Sequence, residues 1–157
     1  MQRPVHSGLN PHELADRLAI REPIDSYAHY ADRRDVEGQM SLLTADTEFM
    51  VYTNSRDAAP THVIHGREEL RPVFENLRSY EATTHFNGQS TVSWAQDSAT
   101  GVTYCLAHHV KAAGARKSLM IASIRYLDSF GRLDRLWYFR QQKLMVDWID
   151  NRTLGAA

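Results

Sequence analysis

TTHFNGQSTVSWA (residues 83–95), ATGVTYCLAHHVKA (99–112), SLMIASIRYLDSF (118–130) and RLWYFRQQKLMVDW (135–148) decide the fold. Each is long and rich in the β-branched and aromatic residues that suit a pleated, half-buried surface. The breaks between them, AQDS, AAGAR and FGRLD, are hairpin-sized and carry turn residues. Four such segments in succession predict an antiparallel meander. Upstream the pattern is mixed. TEFMVYT and HVIHG read as two further strands around the polar loop NSRDAAPT, and GREELRPVFENLRSY reads as a helix with Leu70, Phe74 and Leu77 on one face. Before these, NPHEL opens a helix in which Asn10 caps, Pro11 takes the first position and Glu13 completes a capping box. Its apolar spacing continues to Ala31, and Pro23 inside it predicts a kink or a restart. VEGQMSLLT follows as a short second helix. The order predicts an α+β domain, residues 10–152, with its helices gathered on one face of a curved sheet. Residues 1–9 read as a loose arm and 153–157 as a tail.

Composition narrows the function. Of 157 residues, 18 are Lys or Arg and 19 Asp or Glu, so the formal net charge is −1 and no basic nucleic-acid footprint is present. A lone cysteine, Cys105, rules out an intrachain disulfide and suits a reducing compartment. No run has the length of a membrane span or of a signal-peptide core, so a cytoplasmic protein is expected. His62 and His65 in HVIH alternate across a strand, and no HExxH, CxxC, phosphate loop or GxGxxG occurs. Neither metal nor cofactor is expected.

The chemistry concentrates in YAHYADRRD (27–35). On a helix Ile20, Ile24, Ala28 and Ala31 share one side, and Asp32 falls roughly 80–100° from Ile24 and Ala31, within the apolar arc. A solvated carboxylate belongs on the other side. Either Asp32 pairs locally with Arg33 or Arg34, or it faces a partner inside the domain.

These segments, with LLTADTEF and HGREEL, make residues 12–150 resemble the SnoaL-like branch of the nuclear transport factor 2-like superfamily. Its members include scytalone dehydratase, bile-acid 7α-dehydratase and hexachlorocyclohexane dehydrochlorinase. The resemblance implies a cone: a strongly bent, mixed and largely antiparallel sheet, an α+β barrel, wrapped round an apolar pocket closed by N-terminal helices. In the dehydratase-type members an aspartate near the end of the first helix holds a histidine on the first meander strand. Carried over, these are Asp32 and His85. Tyr27, in a Tyr-x4-Asp pattern, and Tyr52, at the end of TEFMVYT, are the implied electrophilic partners. Asp35 is implied to anchor the second helix. Cys105, His108 and His109 are candidate substrate contacts, and strand alternation sends one of the two histidines into the cavity.

A carboxylate bonded to one imidazole nitrogen fixes the tautomer and makes the other nitrogen a better base. The implied function is a cofactor-independent lyase of dehydratase type, acting on a small apolar carbonyl compound of cyclic or polyketide character. An isomerase using the same dyad is the neighbouring reading. A non-catalytic binding or assembly subunit, like the β subunits of ring-hydroxylating dioxygenases, is the rival. The meander also carries more apolar side chains than one face buries, notably Leu119, Ile121, Ile124, Trp137 and Phe139. A homo-oligomer, dimer or trimer, packed through the outer sheet face is therefore expected.

Overall fold

The structure, a computed structural model, describes residues 11–114 and 116–155. A long helix α1 (Pro11–Arg33) and a short helix α2 (Val36–Ser41) precede strands β1 (Leu43–Tyr52) and β2 (His62–His65). A short helix α3 (Arg71–Glu75), flanked by 3-10 turns at Arg67–Leu70 and Asn76–Ser79, leads into the meander β3 (Ala82–Ala95), β4 (Ser98–Ala113), β5 (Arg116–Leu133) and β6 (Leu136–Leu154). The six strands form one open sheet in the order β2-β1-β6-β5-β4-β3. Every neighbouring pair is antiparallel except β1 with β6, which run parallel. The sheet does not close into a ring; β2 and β3 are its edges.

Several expectations are revised. Pro23 does not interrupt α1, which is helical throughout. The proline costs the helix one backbone hydrogen bond, and its buried ring recovers part of that through apolar contact. The segment after His65 is a string of short turns rather than one helix, although Leu70 and Phe74 do enter the core. Strand β6 continues to Leu154, past the expected end of the domain. Residues 1–9 and the capping residue Asn10 lie outside the described residues.

The core lies between α1 and the concave face of the sheet. Ile20, Ile24 and Tyr27 from α1 meet Phe49, Phe130 and Phe139 from the strands. Phe130 and Phe139 are register partners with ring centroids 4.9 Å apart. Ile124, Trp137 and Phe139, counted in the apolar surplus of the meander, are interior, at most 6% exposed. β5 alternates strictly from Ala122 to Phe130, and the register shifts at Ser123/Ile124 and Ser129/Phe130 place one extra residue each on β6, Asp147 and Arg140. The apolar side chains left outside are different ones. Phe86, Leu106 and Trp148 are exposed and lie in one row across β3, β4 and β6, with Ser123 between the last two.

Among the described residues no helix is long and apolar enough to cross a membrane.

Candidate active site

The end of α1 builds the site. Arg34 takes a left-handed conformation (φ 58°), which stops the helix directly after Asp32 has been placed on its inner side. Asp35, the next residue, turns away and caps α2, its Oδ1 accepting from the Gly38 N–H at 2.8 Å. Gly38 is required there, since a Cβ would lie 2.6 Å from the Tyr30 ring. The structural role expected of Asp35 is thus accounted for by the cap.

Opposite Asp32 lies β3, an edge strand whose outward N–H groups have no neighbouring strand. The His85 backbone N–H donates to Asp32 Oδ2 at 2.9 Å, and His85 Nδ1 lies 2.8 Å from Oδ1. Thr83, two residues earlier and on the same face, donates its hydroxyl to Oδ1 at 3.0 Å. That hydroxyl in turn accepts from Arg34 Nη1 at 3.0 Å, and Arg34 also donates to the carbonyls of Asp32 and Tyr80. The guanidinium therefore reaches Asp32 through Thr83 and the backbone rather than by pairing with its carboxylate.

Burial pushes the Asp32 carboxyl up, but the bonds from the His85 ring and backbone, the His85 charge and the Thr83 hydroxyl outweigh it. The net direction is down, so the carboxylate stays ionised at neutral pH. An ionised Asp32 acts only as an acceptor, so Nδ1 carries the proton and Nε2 is the basic nitrogen.

His85 lines a small cavity with Tyr27, Asn87, Tyr126, Asp128 and Gln142. Its free volume, about 10 Å³, is room for one water. Asn87 fixes the wall by donating to the Ile24 carbonyl at 3.2 Å. Ile24 lines this cavity and also an open cleft of about 120 Å³ between α1 and β3, where Arg17 lies over the Trp94 ring. Tyr27 packs edge-on against Phe74, Tyr126 and Phe139. Burial raises its hydroxyl well above the ordinary tyrosine range, so it remains a proton donor.

The other expected residues divide between the two faces. His109 is the register partner of Thr83 and shares the concave face; its ring lies 5.3 Å from His85 and 4.6 Å from Tyr80. Burial, then the neighbouring His85 charge, lowers it to about 4, so it is neutral at pH 7. Both its ring nitrogens are buried without a partner. His108 alternates to the opposite face, opposite Thr84 and Ile121. Cys105 is buried on the concave side, its thiol pushed up to about 12 by burial and the Asp32 charge. Tyr52, half-buried on β1, is not among the residues lining the cavity.

Sequence reasoning missed Thr83, Asp128 and Gln142, and offered Arg34 only as a local partner of Asp32. Thr83 was signalled by its two-residue offset from His85. Asp128 was signalled as the one acid in the inward series Ile124, Tyr126, Asp128, Phe130. The route of Arg34 through Thr83 gave no signal, because it depends on a positive φ. Among the described residues no group of three His, Cys, Asp or Glu side chains is gathered to hold a metal ion.

Comparison with solved structures places this architecture among known ones. A protein provisionally designated a scytalone dehydratase, from Novosphingobium aromaticivorans, superposes with a TM-score of 0.75 at 20% identity, over 92% of both chains. A hexachlorocyclohexane dehydrochlorinase from Novosphingobium barchaimii gives 0.70 at 18% identity, over 92% of this chain and 93% of its own. A Mycobacterium tuberculosis protein of unknown function gives 0.73 at 23% identity, over 90% and 78%. At these identities the likeness is one of fold. Comparison with curated proteins gives no match. A family model, that of the SnoaL-like domain, matches residues 12–143, and with most of the chain covered, this protein is a member of the SnoaL-like family.

Proposed function

We propose that the protein is a cofactor-independent lyase of dehydratase type, acting on a small, mostly apolar carbonyl compound. The observation that carries this reading is the contact of Nδ1 of His85, a residue lining the cavity, with Asp32 at 2.8 Å. In the proposed step His85 Nε2 removes a proton from the carbon beside the carbonyl, and the electron pair moves into an enolate. Tyr27 donates its hydroxyl to the enolate oxygen. As the enolate collapses, the C–O bond to the β-hydroxyl breaks, and the imidazolium returns its proton so that the group leaves as water. Asp32 holds the tautomer throughout, and Tyr52 has no part. Isomerisation would share the first half of this sequence and return the proton to carbon.

A cavity with room for one water does not admit a substrate as it stands, so entry requires Ile24 to turn and join the cavity to the outer cleft. 3-Hydroxycyclohexanone in D2O tests both halves: NMR follows exchange at the α-carbon, and ultraviolet absorbance follows cyclohexenone. His85→Gln should slow both by about 10²–10⁴-fold, while circular dichroism and thermal melting show the variant folded. Wild-type rates in His85→Gln would refute the assignment of His85 as the base.

A further inference from the structure

Asp128 has no part in the chemistry above, yet it lines the same cavity as His85. It is 5% exposed, and Gln142, its register partner across β5 and β6, is 2% exposed. Among the described residues no Lys, Arg or His lies within ion-pair distance of the Asp128 carboxyl. Burial holds this acid well above the usual carboxylate range, a shift that the bond from the Gln142 side chain only partly offsets. A neutral acid here carries one O–H. One oxygen is engaged by the Gln142 amide, while Asp128 Oδ1 and Gln142 Oε1 are both buried without partners.

Orphaned polar atoms inside a core are costly, because each has given up its bonds to water without a replacement. Two of them face a pocket that Tyr27, His85, Asn87, Thr103, Tyr126 and Phe139 also line, and they are unfavourable unless something binds there. The free O–H is a donor and the free amide oxygen is an acceptor. Exchanging the amide's O and N only swaps which residue donates, so the pair still offers one of each. A hydroxyl matches both, because its oxygen accepts while its proton is donated. A ketone, ether or apolar edge matches at most one.

We propose that Asp128 and Gln142 form a hydroxyl-recognition subsite in the His85 cavity, so that the preferred substrate carries a hydroxyl group remote from its reacting carbon. The reacting carbon's position rests on the function proposed above; the binding preference does not. The subsite comes from β5 and β6 and the base from β3, so a ring bearing a carbonyl and a distant hydroxyl would span the two.

The probes are acetophenone, 4-methoxyacetophenone and 4-hydroxyacetophenone, with dissociation constants from NMR titration of the whole protein. Wild type should bind the hydroxylated ketone about tenfold more tightly than the other two, the worth of one or two net hydrogen bonds. Asp128→Leu should bring the ratio to about one, and Asp128→Asn, which keeps a donor, should restore most of it. A wild-type ratio near one, failure of wild type to bind any of the three, or a ratio unchanged in Asp128→Leu would overturn the proposal. If Asp128→Leu does not fold, Gln142→Leu takes its place, and an undiminished preference there would equally overturn it. Deuterium exchange into the acetyl methyl, measured on the same samples, reads the function separately. Exchange that is indifferent to His85→Gln removes the base and leaves the hydroxyl preference to be judged by binding alone.

Discussion

Replacing Asp32 by asparagine tests more than a lost charge, because the carboxylate receives three donors and an amide has only one acceptor atom. The His85 N–H arrives at Oδ2, while the Thr83 hydroxyl and His85 Nδ1 arrive at Oδ1. If the carbonyl of the new amide occupies the Oδ1 position, its NH₂ faces the His85 backbone N–H, donor against donor, at a site where the two atoms stand 2.9 Å apart. That orphans a backbone donor, at about 1–3 kcal/mol. If the carbonyl occupies the Oδ2 position, the backbone bond survives and the NH₂ points at Thr83 and Nδ1. Thr83 can turn its proton away and accept. Nδ1 can accept only by giving up its proton, and the neutral ring then carries it on Nε2. The second arrangement keeps more bonds, so it should prevail. It removes the base by tautomer rather than by deletion.

Asp32→Asn should therefore lower α-proton exchange about as much as His85→Gln does, by about 10²–10⁴-fold, or about 2.7–5.4 kcal/mol of barrier. If the aspartate merely steadied the ring, the effect would be much milder. Long-range ¹H–¹⁵N correlation spectra of labelled histidine distinguish the tautomers directly. Wild type should show His85 protonated on Nδ1, and Asp32→Asn should show it protonated on Nε2. An Nδ1-protonated His85 in the variant, together with near wild-type exchange, would refute the reasoning.

Further outcomes follow from other contacts. Ile24→Ala should cost about 2–5 kcal/mol in urea unfolding, since Ile24 is 5% exposed, and should raise exchange on bulky ketones; no gain would mean that Ile24 does not gate the cavity. Asp128→Asn should gain stability over wild type as pH rises from about 4, by about 1.4 kcal/mol per pH unit until the folded-state value is reached. The folded protein keeps a proton on Asp128 that the unfolded chain releases, while the facing Tyr27 and Tyr126 stay protonated; a difference independent of pH from 5 to 8 would mean that Asp128 is ionised when folded. The exposed row of Phe86, Leu106 and Trp148, 67%, 38% and 51% exposed, should be covered by a second copy, giving a dimer or trimer by sedimentation that Leu106→Glu dissociates. Wild type that is monomeric at micromolar concentration would exclude this.

The meander was legible because its signals are local: β-branched runs, turn residues and hairpin-length gaps need no knowledge of distant partners. Asp32 was legible for a different reason, as a charge placed on an apolar arc. Position relative to the cavity was harder. Ile124, Trp137 and Phe139 were counted among a surplus that one face could not bury, yet all three belong to the core. Tyr52 was put at the site by likeness to relatives, and the lining is supplied by Tyr126, whose strand register fixes it there. The indirect route from Arg34 to Asp32 could not have been found, since nothing in RRD shows that the second arginine takes a positive φ and turns back toward Thr83.

Around His85 two acids thus stand in opposite states, and the depth of burial together with the number of donors around each decides which. Asp32 collects two N–H bonds and one O–H bond, and these hold its charge against the cost of partial burial. Asp128 receives only the Gln142 side chain and keeps its proton. Environments that push two carboxyl groups apart in this way separate an orienting anion from a neutral hydrogen-bond donor. The ionised Asp32 has a compensating cation nearby in Arg34, linked through Thr83, so the resting site carries little net charge. Such a site favours a neutral substrate. In the proposed step the imidazolium formed at His85 would gain a carboxylate already 2.8 Å away, and the enolate would form beside tyrosines held protonated by burial. Charge separation is thereby matched at both ends by groups already in position, and none of them has to reorganise as the proton moves.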